Sequence, residues 1–550
     1  MSHMTLFIDG EQLKLDDLAR VARGLPDSDS WPQVALAPQS LDRLRLSRGL
    51  VDRIVAEERP VYGITTGFGK FSEIAISRHE TEELQANLIM SHAAGVGPLL
   101  PRDAVRAAML LRANTLAKGF SGVRPEVVDL LVAMLNRGVH PLIPSQGSLG
   151  ASGDLAPLAH MALVLIGQGE AELAPGPGQA GERLPGLEAL RRAGLAPLRL
   201  TAKEGLALIN GTQVLTAVGA LAVRDAQVLA QTADVVAALT MEALQAIGAA
   251  LDPRLAAVRP HPGQAVTAAN LRRLLEGSGN ITRPGEERVQ DAYSLRCIPQ
   301  VHGASRDALE HVDAIVLREM NAATDNPLIF PPAGPDDVGG FPADESGSGP
   351  DAWAAWDADV VSGGNFHGQP VALAFDYLGI AAAEWASISE RRTERLVNPH
   401  LSGLPAFLTR YGGLHSGLMI LQYTAAALVS ENKVLAHPAS VDSIPTSAGQ
   451  EDHVSMGAIA ARKARRIVDN AVRVLGVELL CACQALDLAA PTGGAAALGR
   501  GTAAAYRRLR SEVPALDADR PQAPDMEAAA RLVVGGDLLA AAEREVGPLS

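Results

Sequence analysis

The chain of 550 residues carries a formal net charge of −14, and 47% of its residues are hydrophobic although only 3% are aromatic. The acidic excess is spread along the chain, whereas a nucleic-acid-binding protein concentrates basic residues on one face. No uninterrupted apolar run approaches the roughly 18 residues of a membrane span, and the first residues lack the basic and apolar regions of a signal peptide. These features predict a cytoplasmic protein with neither a nucleic-acid partner nor a membrane partner.

Short helical patterns and glycine-containing turns alternate from about residue 40 to residue 170. Tyr62 opens one such turn, YGITTGFG, and a second glycine-rich run over 147–156, GSLGASGDLA, directly precedes a helical pattern. A stretch rich in proline and glycine over 172–186 indicates an exposed loop. We predict a smaller N-terminal domain over residues 1–200 that carries the run 147–156.

Long segments rich in alanine and leucine dominate the chain after residue 201. They have apolar residues at helical spacing and almost no internal proline, and they cover 202–250, 363–397, 413–436 and 450–490. Helices this apolar are stable only when they pack side by side, and apolar residues on more than one face also favour burial between subunits. The predicted fold class is therefore mainly α, with an extended bundle of long helices over 201–500 that serves as an oligomerisation core.

Two further segments complete the predicted organisation. Residues 334–356 are rich in glycine, proline and aspartate and are predicted to form a surface loop inserted into the bundle, and residues 501–550 form a C-terminal helical segment. Cys481 and Cys483 are two apart in a helical pattern, so they point to different sides and suit neither a disulfide nor a metal site. No metal site is predicted.

The run Ala151-Ser152-Gly153 has two interpretations. In the first, Ser152 caps the following helix and Asp154 occupies its first turn, where a carboxylate is favoured. In the second, the backbone nitrogen of Gly153 attacks the carbonyl carbon of Ala151, and loss of water from the ring and from Ser152 leaves a methylidene-imidazolone electrophile. That reaction requires a glycine without a Cβ as the attacking residue, a serine that supplies the leaving hydroxyl, and a small first residue.

The stretch GSLGASGDLAPLAH, which contains this tripeptide, resembles the signature of the aromatic amino acid lyase family. Further blocks match in the family's order along most of the chain, among them VQDAYSLRC, SGGNFH, LHSGLMILQ and QEDHVSM. The resemblance implies a mostly helical homotetramer whose active sites are assembled from more than one subunit. It also implies that Ala151, Ser152 and Gly153 form the methylidene-imidazolone by themselves, with no external cofactor and no metal.

The resemblance also implies roles for individual residues. Tyr62 matches the base that takes the β-proton of the substrate, and Asn210 matches an asparagine that hydrogen-bonds the electrophile or the substrate carboxylate. Phe366 matches an aromatic residue placed near the substrate, although a core residue is an equally simple interpretation.

A second group of matching residues lies in the block VQDAYSLRC. Arg296 matches the arginine that binds the substrate carboxylate, for which a planar guanidinium is suited, and Tyr293 matches a tyrosine that assists around the amine. Because Tyr293 and Arg296 are three residues apart, a helical turn would project both to one face. Gln290 is assigned to substrate binding with them.

Two residues indicate which amino acid is the substrate. His92 stands in Ser91-His92 and Glu451 in Gln450-Glu451-Asp452-His453, as in the family members that act on histidine. A carboxylate suits an imidazole that is partly cationic, whereas it would be poorly solvated against a phenyl ring. The sequence thus predicts an enzyme of histidine catabolism that converts L-histidine to trans-urocanate and ammonia.

Two alternatives stay open at this point. One is an ammonia-lyase or aminomutase that acts on another aromatic amino acid such as tyrosine or phenylalanine. The other is a non-enzymatic helical assembly whose Ala-Ser-Gly run never cyclises.

Overall fold

Helices make up most of the structure, which confirms the predicted mainly α fold class. The computed structural model describes residues 5–24, 31–67, 69–71, 74, 76, 80–150, 153–330, 360–489 and 494–550. Ala151, Ser152 and the predicted insertion 334–356 therefore lie outside the described residues. The helices are α1 Leu15–Arg23, α2 Pro38–Ala56, α3 Thr81–His92, α4 Arg102–Ala117, α5 Pro125–Asn136, α6 Leu155–Leu165, α7 Gly186–Arg192, α8 Glu204–Ile209, α9 Gln213–Ala243, α10 Pro253–Val258, α11 Pro262–Leu274, α12 Tyr293–Arg296, α13 Ile298–Met320, α14 Gln369–Val397, α15 Pro399–Ser402, α16 Met419–Leu435, α17 Gly457–Leu488, α18 Arg500–Arg510, α19 Ala523–Val534 and α20 Asp537–Val546.

Short strands occur among the helices of the N-terminal half and near residue 330. They are β1 Leu6–Ile8, β2 Val34–Leu36, β3 Val96–Leu99, β4 Val139–Pro141, β5 Pro144–Gln146, β6 Glu170–Leu173, β7 Glu182–Pro185, β8 Leu328–Ile329 and β9 Val360–Val361. β1 and β2 pair in parallel, β3 pairs with β5, β4, β6 and β7 form an antiparallel sheet in that order, and β8 pairs with β9. The prediction of a loop over 172–186 is wrong in part. Both ends of that stretch pair as the strands β6 and β7, and only the turn between them is irregular.

The chain divides into two compact units. Unit 1 comprises Met1–Leu221, Ile315–Leu373 and Ala439–Ala461, and unit 2 comprises Ala222–Ala314, Ala374–Pro438 and Arg462–Ser550. The division falls within the four longest helices, α9, α13, α14 and α17, so each of them contributes residues to both units. The domain boundaries predicted near residues 200 and 500 stay a prediction.

Three of the four longest helices fall within predicted helical segments, namely α9, α14 and α17. Alanine and leucine explain this agreement, because both residues lose little side-chain freedom in a helix and their apolar stripes bury against neighbours. α13 was missed, since polar residues such as His302, Ser305 and Arg306 interrupt its apolar pattern.

A buried polar network in unit 2 accounts for those interruptions. The Glu478 carboxylate accepts hydrogen bonds from the Arg392 guanidinium at 2.9 Å and from the Thr240 hydroxyl at 2.7 Å. Asp234 lies 2.8 Å from His302 Nδ1, and Arg392 lies 3.4 Å from the other ring nitrogen of His302. Burial lowers the pKa of His302, with a further contribution from the Arg392 charge, so the ring is neutral near pH 7. The network therefore joins α9, α13, α14 and α17 through groups that have lost their contact with water.

Breaking this network should destabilise the protein. A Glu478→Gln substitution leaves the Arg392 charge buried without its carboxylate, and we expect the free energy of unfolding to fall by about 3 kcal/mol. The matched control is Glu431→Gln, which removes an ion pair between half-exposed side chains and should cost less than about 1 kcal/mol. Thermal unfolding at a fixed scan rate compares the two variants, and equal melting temperatures would contradict the assignment.

Within the part of the chain that the structure describes, one helix is long and apolar enough to resemble a membrane span. α14 has 29 residues and is sufficiently apolar, but 67% of the apolar stretch is buried inside the structure. A core helix of a folded domain passes the same test, so this helix is weak evidence for a membrane segment.

Candidate active site

A large open cavity lies in unit 1, with a volume of about 1120 Å³. Five residues that the sequence predicts for the active site line it: Tyr62, His92, Asn210, Phe366 and Glu451. They come from parts of the chain that are far apart in sequence. The cavity therefore brings together a phenol, an imidazole, an amide and a carboxylate around one space.

The described residues of the glycine-rich run, 147–150 and 153–156, are closely packed, and Leu155 among them lines this cavity. Gly153 has a φ of +73°, and a Cβ there would collide with the backbone of Gly211. At Gly150, which has a φ of +66°, a Cβ would collide with the Ser455 hydroxyl. Both positions therefore require glycine, as the ring-forming interpretation demands for Gly153.

Asp154 follows the tripeptide and is completely buried. Its carboxylate accepts hydrogen bonds from the Ser148 hydroxyl at 2.8 Å and from the Leu215 backbone N–H at 2.7 Å. Burial raises the pKa of Asp154 to about 6, although these hydrogen bonds oppose the shift. The carboxyl thus connects the run 147–156 to the start of α9.

The raised pKa of Asp154 makes stability depend on pH. Between the ordinary value of 3.8 and about 6 the folded chain holds a proton that the unfolded chain releases, so stability falls as pH rises through this window. The loss reaches about 3 kcal/mol above the folded-state pKa. Asparagine does not titrate, so the Asp154→Asn variant should not lose this contribution. We therefore expect the melting temperature of Asp154→Asn, measured relative to that of the unmodified protein at the same pH, to rise from pH 4 to pH 7.

The measurement is a series of melting curves at closely spaced pH values. Asp442→Asn, the same change at an exposed position, serves as the control and should give a constant difference from the unmodified protein. A constant difference for Asp154→Asn as well would contradict the raised pKa.

Asn210 lies at the end of α8, where it is held from two sides. The Arg112 guanidinium donates to its backbone carbonyl at 2.8 Å, and its own amide Nδ2 donates to the carbonyl of Asn326 at 3.0 Å. Burial lowers the pKa of Arg112 only to about 10, so the group stays charged. The Asn210 Oδ1 atom is buried without a hydrogen-bond partner among the described residues, which leaves it available to a donor on a bound molecule.

Tyr62 lies in a turn that packs against α8. Its neighbour Gly63 has a φ of +73°, and a Cβ there would press on Leu206 and Pro327. The backbone N–H of Gly69 lies 3.4 Å from the Tyr62 hydroxyl oxygen and donates to it. The turn thus places the phenol at the cavity through backbone geometry that only glycine adopts easily.

His92 ends α3 and has a defined ring orientation. Its Nδ1 atom lies 2.8 Å from the carbonyl oxygen of Leu88, so Nδ1 carries the hydrogen and donates it. In the neutral ring this leaves Nε2 as an acceptor for an N–H of a bound molecule.

Glu451 ends a short turn that begins at Thr446. The backbones of the two residues pair, with the Thr446 N–H donating to the Glu451 carbonyl at 2.9 Å. The Thr446 hydroxyl donates to Glu451 Oε2 at 2.8 Å. The carboxylate is therefore oriented by a residue outside the predicted set.

Two histidines in the cavity wall were also missed. The rings of His367 and His453 are stacked with centroids 5.7 Å apart. The Gln369 N–H donates to His367 Nδ1 at 3.3 Å, so the hydrogen of this ring is on Nε2, which donates to the His453 carbonyl at 3.2 Å. His367 directly follows Phe366 in the block SGGNFH, and His453 lies two residues after Glu451 in QEDHVSM, so their proximity in sequence to predicted site residues could have identified them.

Gln290, Tyr293 and Arg296 belong to unit 2 and are not among the residues that line the unit 1 cavity. The Arg296 guanidinium carbon lies 4.7 Å from the centroid of the Tyr293 ring, so α12 does present both side chains together. The Tyr293 side chain is 70% exposed. Their assignment to the substrate stays a prediction.

These features are those of an enzyme active site in a mainly helical protein. Acid–base groups line one cavity, and the loop beside it has two positions, Gly150 and Gly153, that require glycine. The sequence profile of the aromatic amino acid lyase family matches residues 13–511. The chain belongs to that family, and this membership implies a small-molecule substrate.

Individual relatives are similar over their whole length. The histidine ammonia-lyase of Symbiobacterium thermophilum is 58% identical over 540 residues, which are 98% of this chain and 99% of that protein. The crystal structure of histidine ammonia-lyase from Trypanosoma cruzi has a TM-score of 0.86 and 42% identity, covering 99% of this chain and 96% of that one. The tyrosine aminomutase of Streptomyces globisporus has a TM-score of 0.89 at 38% identity and covers all of both chains.

Proposed function

We propose that this chain deaminates L-histidine to trans-urocanate and ammonia without an oxidant. The observation that carries the proposal is that Glu451 and His92 line the same cavity as Tyr62. One site therefore offers polar partners for the imidazole of the substrate and a base for its β-carbon. The similarity to enzymes named histidine ammonia-lyase supports the same substrate.

We propose that Ala151, Ser152 and Gly153 form a methylidene-imidazolone, which supplies an electrophile that activates the amine of the substrate. The surroundings of Gly153 are compatible with this group. A Cβ at that position would collide with the Gly211 backbone, and ring closure requires a compressed turn with no side chain there. The buried acceptor Asn210 Oδ1 fits a donor on the bound substrate or on the group itself.

The other residues bind the substrate and move its proton. In the imidazolium form of the substrate, one ring N–H donates to the Glu451 carboxylate and the other donates to His92 Nε2. This holds the β-carbon toward Tyr62, which acts as the base that takes the β-proton as ammonia leaves. Phe366 contacts the apolar edge of the ring.

The carboxylate of the substrate is suited to a cation, and among the side chains that the structure describes, those that line the cavity include neither lysine nor arginine. We propose that Arg296 of another subunit binds it, together with Tyr293 and Gln290, in a cytoplasmic homotetramer with shared sites. Exposed apolar side chains on α14 and α16 support an assembly that covers them: Tyr377, Ile380, Ile420 and Tyr423.

The direct test is to incubate the purified protein with L-histidine and to follow the absorbance of urocanate. A panel with L-tyrosine and L-phenylalanine runs in parallel, with product identification by mass and chromatography. Urocanate from histidine alone is the expected result. Turnover of tyrosine or phenylalanine instead would reassign the substrate, and a β-amino acid product would indicate an aminomutase, the activity in the name of the Streptomyces globisporus relative.

A further inference from the structure

Thr446 and Glu451 close a turn with an unfavourable backbone. Ser447, Ala448 and Gly449 between them have φ values of 54°, 54° and 83°, all in the left-handed region. Residues with a side chain rarely adopt this conformation, and two of them in succession persist only where the surroundings hold them in place. The backbone preferences of Ser447 and Ala448 therefore oppose this turn, and the contacts between its end residues, Thr446 and Glu451, hold it in place.

Those two ends are joined by three hydrogen bonds. The backbone N–H groups of Thr446 and Glu451 donate to each other's carbonyl oxygens at 2.9 Å and 3.3 Å. The third is the bond of 2.8 Å from the Thr446 hydroxyl to Glu451 Oε2. A glutamate side chain has several freely rotating bonds, and this contact selects one orientation of its carboxylate.

The same segment is attached to the glycine-rich run 147–156 a few residues later. The Ser455 hydroxyl, which is fully buried, donates to the Gly150 carbonyl at 3.0 Å, and the Met456 N–H donates to the Leu149 carbonyl at 2.8 Å. The segment 446–456 therefore connects the Glu451 carboxylate to the backbone of Leu149 and Gly150, which precede the predicted electrophile in the chain.

We propose that Thr446 is a positioning residue for substrate selection, which orients the Glu451 carboxylate toward the imidazole of the substrate. This inference rests on the proposed function, because it requires that Glu451 binds that ring. Thr446 acts only through Glu451 and does not itself bind the substrate.

The test is a double-mutant cycle on kcat and KM for L-histidine. Thr446→Val keeps the shape of the side chain and removes the hydroxyl, and we expect kcat/KM to fall about tenfold, mainly through a higher KM. Thr446→Ser keeps the hydroxyl and should stay within about twofold of the unmodified protein. In the Glu451→Gln background, Thr446→Val should change kcat/KM by less than about twofold, because the carboxylate it orients is gone.

The outcomes separate this inference from the proposed function. If the unmodified protein does not deaminate histidine, the proposed function fails and the inference fails with it. If it does, the inference alone is overturned when Thr446→Val retains full kcat/KM, when Thr446→Ser is as impaired as Thr446→Val, or when the loss is equally large in the Glu451→Gln background. Thr446→Ala replaces the valine variant in the cycle if the latter does not fold.

Discussion

A Ser152→Ala variant is expected to lose at least about 10³-fold in kcat for histidine, while it folds and assembles normally. Alanine has no hydroxyl to leave, so the second loss of water cannot occur and the electrophile is not completed. The intact mass shows this directly. The unmodified protein should be lighter than its sequence by two water molecules, and the variant should not show this full deficit.

The same substitution at Ser511 is the control, because that serine is exposed at the end of α18. Ser511→Ala should keep both the mass deficit and the activity. Normal turnover by Ser152→Ala would exclude a serine-derived electrophile and with it the proposed mechanism.

A Tyr62→Phe variant should lose about 10²–10⁴-fold in kcat with a much smaller change in KM. The substitution removes only the hydroxyl, which the Gly69 N–H contacts at 3.4 Å, and the turn that packs Gly63 against α8 stays in place. The variant should keep the mass deficit, since the phenol takes no part in the proposed ring closure. Mass and rate together therefore distinguish loss of the base from loss of the electrophile.

Isotope substitution sharpens this prediction. If Tyr62 removes the β-proton, that step becomes rate-limiting in the variant, so histidine deuterated at the β-carbon should show a larger isotope effect on kcat than it does with the unmodified protein. Tyr411→Phe, at an exposed tyrosine between α15 and α16 that is not among the residues lining the cavity, is the control and should behave like the unmodified protein. An unchanged isotope effect in Tyr62→Phe would argue against its role as the base.

Much of the cavity could be predicted because its residues lie within short, chemically distinctive runs. Tyr62, Asn210 and Glu451 each stand in a block whose residue types already limit the chemistry, and all three line one cavity. The long helices could also be predicted from the sequence wherever alanine and leucine dominate.

The missed features depend on contacts between distant residues. The apolar pattern of α13 is broken by His302, which is buried only because Asp234 and Arg392 accompany it. Thr446 is an ordinary threonine in the sequence, and its hydroxyl acquires a function only when the left-handed residues after it turn the chain back. No local pattern encodes such a pairing.

The bond between Ser455 and Gly150 joins residues that are 305 positions apart. The support of the run 147–156 is thus incomplete until a segment from the last fifth of the chain has been synthesised and has folded back onto it. On the proposed function, the methylidene-imidazolone therefore forms only after this segment has been synthesised and has folded. A nascent or truncated chain that lacks the segment stays without the electrophile.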